Sequence, residues 1–358
     1  MRRAVLVLLA TMASLTAVGD AAAPRGMLDV HQRFDFSGGP YVEGSVSYLR
    51  VLKGGHVLLE RSRQGELNVR LPLRAGLYRL TSFQRPCDGN CSLLDPPTDR
   101  CSRRVRVFTG GSTSVRVVTR PGSGCRLRVQ EPPAFPARKR IAAARRYVRG
   151  RALSSFALID THGRLHGFAP RRRYISASVV KAMLLVAYLR KIGNRLPDAA
   201  ERATLGPMIS VSDNGRATSI YGRVGDAGLL DLARRAGMRD LTVAGFWGSV
   251  FFSAADQARF FYRFDSLVPK RSRAYARRLL SSIVPAQRWG FSHSSLRRGW
   301  STFFKGGWRQ TDSGSLVHEA ALFEREGARF SLAVLTDGNP SHDYGTETLR
   351  GVAERLFR

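Results

Sequence analysis

The amino-acid sequence predicts an α+β fold, in which an antiparallel sheet is flanked by helices and carries an all-α subdomain. A small β-sandwich, stapled by disulfides, is predicted to precede it. Three observations support this assignment. Residues 28–130 alternate apolar and polar side chains in short runs that are separated by glycine turns. Residues 131–137 contain three prolines, which favours a stiff linker. Residues 138–358 then show strand, helix, strand and helix patterns in that order.

The first part of the chain carries about seven predicted strands within about 100 residues, as a small β-sandwich requires. The clearest run places an apolar side chain at every second position: Leu67, Val69, Leu71 and Leu73. A second run with the same period predicts that Val46, Tyr48 and Leu52 share one face of a strand, on which Arg50 is the exception. We find no catalytic constellation in this domain, which is predicted to be a spacer or a wall-docking module.

All four cysteines of the chain lie within 39 residues, at Cys87, Cys91, Cys101 and Cys125. An even number of clustered cysteines in an exported protein predicts two disulfides, for which three connectivities exist. The alternative is a metal site built from the four thiolates. The spacing lacks the paired Cys-x2-Cys knuckles of zinc sites, so we predict structural disulfides and no metal.

The beginning of the chain resembles a secretory signal peptide, predicted to span residues 1–22. Two arginines follow Met1, and the apolar run Ala4–Val18 comes next. This run is too short to cross a bilayer comfortably, and no later segment reaches about 18 uncharged apolar residues. The sequence therefore predicts a secreted, extracytoplasmic protein that is not an integral membrane protein.

The formal net charge of +31 suggests a polyanionic partner. Composition offers another explanation, because only six of the 58 basic residues are lysine and the excess of arginine is typical of GC-rich coding. No helix-turn-helix, zinc-finger or RNA-recognition pattern is present, so we predict no nucleic-acid partner. Anionic cell-wall polymers stay as an alternative partner.

The second part of the chain begins with the predicted helix Arg138–Arg149 and two strands. A long apolar helix then starts at Ser178, a short helical turn opens at Pro207, and four further helices follow. Three strands and a closing helix end the chain: Thr302–Trp308, Leu316–Glu324, Ala328–Leu335 and Thr346–Arg358. This order predicts a helical subdomain inserted into one antiparallel sheet.

The start of the long apolar helix carries a Ser-x-x-Lys pattern at Ser178 and Lys181. A helix N-terminus offers unpaired backbone N–H groups that can stabilise an oxyanion, which suits an acylated serine. Lys181 lies on the same helical face, and burial among apolar neighbours would lower its pKa enough to accept the serine proton. The pattern alone is weak, because serine is also a common helix cap.

Two further patterns follow in the chain. Ser212-Asp213-Asn214 can place a hydroxyl and an amide side by side, to pass a proton to a leaving nitrogen and to hold a substrate amide. Lys305-Gly306-Gly307 lies on a predicted strand, where glycine permits a substrate to approach the backbone closely and lysine offers a positive charge. Individually, each is also typical of an ordinary turn or bulge.

Together these patterns resemble the class A β-lactamase and penicillin-binding serine hydrolase superfamily. The similarity is carried by SASVVKAMLLVAYL at 176–189, MISVSDNGRATSIYGRVG at 208–225 and FFKGGW at 303–308. The resemblance implies that Ser178 is the acylated nucleophile, Lys181 the base and Ser212 the leaving-group relay. It also implies substrate binding by Asn214, Lys305, Gly307 and Trp308, with an oxyanion hole formed by the backbone N–H groups of Ser178 and Trp308.

Two departures from the family pattern bear on the reaction. In the family, the residue after the lysine of the third motif usually carries a hydroxyl group. In the third motif of this chain, Lys305-Gly306-Gly307, Gly306 takes that place, so one hydrogen bond to a substrate carboxylate is missing. The Glu-x-x-Leu-Asn loop, whose glutamate activates the deacylating water in class A enzymes, is also missing. Residues 215–304 contain no glutamate, and their only carboxylates are Asp226, Asp231, Asp240, Asp256 and Asp265.

The sequence therefore predicts an exported serine hydrolase that forms an acyl-enzyme at Ser178 on an amide, lactam or ester and deacylates poorly. The alternative is a catalytically weak or inactive penicillin-binding-like protein of the cell wall. No cofactor is predicted, because the seven histidines show no metal-ligand spacing. The four tryptophans could line a cleft or pack in the core: Trp247, Trp289, Trp300 and Trp308.

Overall fold

The fold is that of a computed structural model, which describes residues 25–35, 37, 44–87, 91–293 and 299–357. The predicted signal peptide lies outside the described residues. Among the described residues, no helix is long and apolar enough to cross a membrane.

The described part of residues 25–130, which we call the N-terminal region, contains eight strands. They are β1 (Arg25–Phe34), β2 (Gly44–Lys53), β3 (His56–Gln64), β4 (Asn68–Arg74), β5 (Gly76–Cys87), β6 (Thr98–Val107), β7 (Ser112–Arg120) and β8 (Gly124–Gln130). They form two four-stranded sheets, in the orders β4-β1-β7-β8 and β3-β2-β5-β6. All neighbours are antiparallel except β1 and β7, which pair in parallel.

The two sheets share one apolar core to which both contribute, including Leu28 and Val115 from one sheet and Leu80 from the other. The buried apolar side chains of β2 are Leu49 and Val51, which alternate with the predicted set Val46, Tyr48 and Leu52. Tyr48 lies on the opposite face, where it stacks on Phe83 with ring centroids 4.8 Å apart. Because Tyr48 has Phe83 as a cross-strand partner on the outer face, β2 carries large apolar side chains on both of its faces.

Two disulfides staple the N-terminal region, as predicted. Cys87 pairs with Cys91 at a Cα–Cα distance of 4.8 Å and closes a short loop. Cys101 on β6 pairs with Cys125 on β8 at a Cα–Cα distance of 5.5 Å. Because β6 and β8 belong to different sheets, the second bond ties the two layers of the sandwich together.

Residues 138–357, which we call the C-terminal region, contain helices and strands in the predicted order. The elements are α1 (Arg138–Arg149), β9 (Ser154–Ile159), β10 (Leu165–Phe168), β11 (Arg173–Ile175), α2 (Val180–Lys191), α3 (Ala199–Ser210), α4 (Asn214–Ala236), β12 (Phe251–Ser253), α5 (Ala254–Tyr262), α6 (Phe264–Leu267), α7 (Arg273–Ser281), β13 (Ser301–Thr311), β14 (Gly314–Arg325), β15 (Ala328–Asn339) and α8 (His342–Phe357).

A five-stranded antiparallel sheet of order β10-β9-β15-β14-β13 organises the C-terminal region. Helices α2 to α7 come between β10 and β13 in the chain, so the predicted helical insertion into one sheet is confirmed. Helix α2 is apolar on all sides, and its residues 180–189 are all buried. A helix of this kind has a fixed place in the core, which fixes the groups at its N-terminus as well.

The helix before the Ser-Asp-Asn turn differs from the prediction. Pro207 does not open it but lies inside α3, which starts eight residues earlier. Asp198 caps α3 and forms a capping box with Glu201. This box satisfies backbone N–H groups at the start of the helix, so the proline falls in its last turn.

Residues 131–137 contain no helix or strand, but the side chain of Phe135 packs against the C-terminal part of the chain. Phe135 stacks on Trp300 at a centroid distance of 5.1 Å and meets the edge of Phe330 at 5.3 Å. The two regions also touch directly, since Phe108 stacks on His162 with ring centroids 3.9 Å apart.

Candidate active site

Ser178 lies in a single 3₁₀ turn, residues 177–179, that joins β11 to α2. The turn places its half-buried side chain at the N-terminal end of the buried helix α2. Ala177, directly before it, has a φ of +43°, a conformation that costs a residue with a Cβ atom about 1 kcal/mol or more. Such strain is held in place by the surrounding packing, and it is often found at functional sites.

Lys181 is fully buried one helical turn beyond Ser178, and its side chain reaches the Ser-Asp-Asn turn. Its Nζ donates to the backbone oxygen of Ser212, to Ser212 Oγ at 3.2 Å and to Asn214 Oδ1 at 2.7 Å. The indole ring of Trp247 covers the amine, with its centroid 4.9 Å from Nζ. Burial lowers the pKa of Lys181 to about 8, against a smaller opposing effect of Asp213.

The Ser-Asp-Asn turn connects α3 to α4. Ser212 has a φ of +62° and is only 9 % exposed. Asp213 points away from the lysine and caps α4, accepting a hydrogen bond from the backbone N–H of Arg216 at 2.9 Å. The left-handed conformation of Ser212 is compatible with the contacts that both Ser212 and Asn214 make with Lys181.

Lys305 approaches the same hydroxyl from the sheet. It lies on β13, is fully buried, and donates to Ser212 Oγ at 3.1 Å and to the Gly306 oxygen at 2.8 Å. Burial lowers the pKa of Lys305 to about 7; the nearby charge of Lys181 lowers it further, and Glu319 opposes both. Two amines with lowered pKa values therefore share one serine hydroxyl.

Both glycines of the third motif are explained by close contacts. A Cβ atom on Gly307 would lie 2.8 Å from the Ser178 nitrogen and 2.9 Å from that of Val179. Strand β13 therefore passes directly against the 3₁₀ turn, and only glycine fits there. A Cβ atom on Gly306 would lie 3.1 Å from the ring of Trp289, so the indole occupies the space that a side chain at this position would need.

Trp308 follows on β13 and is 40 % exposed beside the site. Its ring meets that of Trp289 edge to face at a centroid distance of 6.0 Å. Trp247 and Trp300 are instead buried, at 7 % and 6 % exposed. Trp289 and Trp308 thus form a partly exposed aromatic pair next to β13, while Trp247 and Trp300 pack in the interior.

The five aspartates of residues 215–304 are all engaged away from Lys181. Two of them accept backbone N–H groups: Asp226 from Gly245 at 2.9 Å, and Asp256 from Arg239 at 2.7 Å. The other three pair with arginines: Asp231 with Arg234 and Arg235, Asp240 with Arg171, and Asp265 with Arg277 and Arg329. Carboxylates held in this way are not available as a base beside the serine.

Sequence reasoning missed Glu319, a fully buried carboxyl on β14. Its Oε2 accepts a hydrogen bond from the backbone N–H of Phe291 at 2.7 Å, so it holds the segment that carries Trp289. Burial raises the pKa of Glu319 to about 7. A lone acidic residue within the apolar run of β14 was the signal that could have revealed it.

The geometry brings Lys181, Ser212, Asn214 and Lys305 together by direct hydrogen bonds, and it places Ser178 against Gly307. Trp308 is the next residue of the same strand. The four cysteines lie apart from this cluster, in the N-terminal region. Within the described ranges, no group of three or more His, Cys, Asp or Glu residues could hold a metal ion.

Comparison with known proteins agrees with this architecture. Residues 201–358 match the model of the beta-lactamase enzyme family, a segment that includes Ser212 and Lys305 but begins after Ser178. No curated protein of similar sequence was found.

Solved structures extend the similarity to most of the C-terminal region. A beta-lactamase from Sphaerobacter thermophilus superposes with a TM-score of 0.51 at 15 % identity, covering 61 % of this chain and 95 % of that one. The structure of PBP-A superposes with a TM-score of 0.52 at 17 % identity, covering 63 % and 97 %. A beta-lactamase from Chitinophaga pinensis gives 0.52 at 12 % identity, covering 62 % and 97 %. At these identities the structures show a common fold.

Proposed function

We propose that this protein belongs to the β-lactamase and penicillin-binding serine hydrolase superfamily and forms an acyl-enzyme at Ser178 on an amide, lactam or ester; the family-model match over residues 201–358 and the shared fold support this. The observation that carries the proposal is the meeting of two buried amines on one hydroxyl. Lys181 and Lys305 both donate to Ser212 Oγ, next to the turn that holds Ser178. Among the described residues neither lysine forms a salt bridge, and a structural role alone gives no reason to bury two amines side by side in this way.

The proposed acylation begins when Ser178 Oγ attacks the substrate carbonyl and its proton passes to the neutral amine of Lys181. The backbone N–H groups of Ser178 and Trp308 stabilise the oxyanion. The carbonyl bond to the leaving nitrogen or oxygen then breaks, and Ser212 supplies a proton to the leaving group. Ser212 is reprotonated by Lys181, which restores the amine to its neutral form.

Substrate binding in this proposal falls to the groups around the two amines. Asn214 holds a substrate amide while its side-chain oxygen orients Lys181. Lys305 acts as the electrostatic partner of a substrate carboxylate, and Gly307 leaves room for a substrate that lies along β13. The chemistry proposed here uses no metal ion or cofactor.

We propose further that deacylation by water is slow. All five aspartates in the segment that follows the Ser-Asp-Asn turn are engaged elsewhere. Without a positioned general base, hydrolysis slows by roughly 10²–10⁴-fold. Penicillin G is the probe of choice, because a variant of PBP-A, which superposes with a TM-score of 0.52 at 18 % identity, forms an acyl-enzyme with it.

The test is covalent labelling of the purified protein by penicillin G and by a fluorophosphonate, followed by intact-mass measurement. The expected adduct has the mass of the whole penicillin, persists after removal of free ligand, and is absent in Ser178→Ala. Ser219→Ala removes an exposed serine of α4 and serves as the matched control that keeps the adduct. Failure of every acylating probe to label the wild-type protein would refute the proposal.

We also propose that the two regions are separate domains of an exported protein, with the predicted boundaries 28–130 and 138–358. The two disulfides and the leader-like residues 1–22 support export, because disulfides persist in oxidising compartments. Secretion of the chain into the medium or periplasm, with loss of the first 22 or so residues, is the measurement that tests this.

A second candidate function is docking of the N-terminal region to an anionic wall polymer, with or without catalysis. Arginines face each other across two strand pairs, Arg79 with Arg104 and Arg116 with Arg128. Like charges directly opposite each other destabilise a sheet, so a bound polyanion would offset this cost. The second pair lines a groove together with two more arginines and one aspartate: Arg120, Arg126 and Asp35.

Cosedimentation with long-chain inorganic polyphosphate, as a model polyanion, tests the docking function. We expect binding that weakens as salt rises from 50 to 500 mM and that is reduced in Arg116→Gln/Arg128→Gln. Arg61→Gln/Arg63→Gln removes the same charge from the exposed strand β3 and is the matched control. Equal loss in both double variants would assign the binding to net charge and refute a specific groove.

A further inference from the structure

Trp247 lies in the segment between α4 and β12, and this segment is held in place on several sides. The backbone N–H of Gly245 donates to Asp226 at 2.9 Å, and the Trp247 oxygen accepts from Ser176 Oγ at 3.4 Å. The indole Nε1–H donates to Thr218 Oγ1 at 3.0 Å. The ring is thereby fixed at both its backbone and its polar edge, and it is only 7 % exposed.

The indole ring of Trp247 covers one side of the Lys181 amine. Its centroid lies 4.9 Å from Lys181 Nζ, within the range of a cation–π contact. The other contacts of the amine are the oxygens of Ser212 and Asn214. An indole face can neither accept a proton from water nor orient a water molecule by a strong hydrogen bond, so it closes this side of the amine to hydrolytic chemistry.

We propose that Trp247 is a positioning residue that keeps water from Lys181 and so lengthens the lifetime of the acyl-enzyme; this inference rests on the proposed function. Hydrolysis requires that a water oxygen bond to the acyl carbon while a base takes a proton from that water. The bond from the acyl carbon to Ser178 Oγ then breaks, and the base returns the proton to Ser178 Oγ. In this proposal Lys181 is the base available for the proton of the attacking water, and the indole of Trp247 excludes that water from the amine. Acylation should be unaffected, because in the proposed reaction the serine proton passes to the amine without a water molecule.

The experiment measures the two half-reactions separately. The acyl-enzyme is formed with penicillin G, free ligand is removed by desalting, and loss of the adduct is followed by intact mass. Trp247→Phe keeps an aromatic face over the amine, and its adduct should persist within about twofold of the wild-type lifetime. Trp247→Ala opens the space, and its adduct should be lost about 10-fold faster or more, as expected when water gains access to a base.

Thr218→Val provides a milder variant in case Trp247→Ala fails to fold. It removes the acceptor of the indole N–H while keeping the side-chain shape, and it should shorten the adduct lifetime by an intermediate factor. A merely structural role of Trp247 would change stability and acylation but not the pH profile of deacylation. In the opened variants we expect the deacylation rate to rise between pH 6 and 9, as Lys181 loses its proton, whereas the wild-type rate stays flat.

The outcomes separate the two proposals. If no acylating probe labels the wild-type protein, the acyl-enzyme at Ser178 is refuted and the inference about Trp247 falls with it. If all variants are labelled but their adducts have equal lifetimes and equal pH profiles, the acyl-enzyme stands and the shielding role of Trp247 is overturned.

Discussion

The lowered pKa of Lys181 predicts a steep pH dependence of acylation. Burial lowers this pKa from 10.5 to about 8, so at pH 7 about 10 % of the amine is neutral instead of about 0.03 %. Only the neutral amine can accept the Ser178 proton. Raising the pH from 6 to 8 increases the neutral fraction from about 1 % to about 50 %, so the acylation rate should rise about 50-fold and level off above pH 9.

The assay is the second-order rate constant for labelling by a fluorescent penicillin at constant ionic strength, measured at intervals of half a pH unit. Lys181→Met serves as the control that removes the titrating amine, and it should abolish labelling while Ser219→Ala follows the wild-type curve. A rate that is constant between pH 6 and 9, or that falls as the pH rises, would show that Lys181 does not act as a neutral base and would refute the reasoning.

Three further predictions concern the close packing at Gly307, the buried charge of Lys305 and the disulfide between Cys101 and Cys125. Gly307→Ala forces β13 away from the 3₁₀ turn, and it should lower the acylation rate by about 10²-fold or more through loss of oxyanion donors; Gly222→Ala, at an uncrowded position of α4, is the control that should leave the rate unchanged. Lys305→Met removes a lysine whose pKa is lowered in the fold from 10.5 to about 7, so its buried charge destabilises the folded state fully below pH 7 and progressively less as the pH rises towards 10.5. Differential scanning calorimetry should therefore show a Tm increase of at least about 2 °C at pH 6 and a smaller one at pH 9, and a lower Tm at both would contradict the prediction. Cys101→Ser/Cys125→Ser opens a loop whose ends are 24 residues apart, and it should lower the free energy of unfolding by about 3 kcal/mol in urea titrations. Acylation should be retained. A parallel loss of acylation would mean that the candidate active site depends on the β-sandwich.

Features set by neighbouring residues were predictable from the sequence. Helix α1 has the predicted bounds Arg138–Arg149, because its apolar period and the flanking proline and glycine are local signals. Ser178 and Lys181 were identified by a spacing of three on an apolar helix, which fixes their relative direction within one turn. The Ser-Asp-Asn turn and the third motif were likewise found as short patterns, although the catalytic roles assigned to them stay predictions.

Features set by distant residues were not predictable. The pairing of Cys101 with Cys125 depends on how two sheets stack, and the choice between three connectivities had no local signal. The packing of Trp289 on Gly306 and of Trp247 on Lys181 brings together residues 17 and 66 positions apart, through segments without a regular period. Asp198 and Glu201 are a local signal for the start of α3, and because their capping box begins the helix, Pro207 lies in its last turn and does not open it.

The anchoring of Phe135 limits where the chain can be divided. A version that begins at residue 138 would keep every helix and strand of the C-terminal region but would lose the ring that fills the space between Trp300 and Phe330. Removing a fully buried Phe side chain costs about 3–5 kcal/mol, and Phe135 is partly buried against the core, so its loss should cost less than this range but still a sizeable part of the stability of a single domain. Truncation experiments that aim at the isolated C-terminal region should therefore start before Glu131, so that the proline-rich segment is kept.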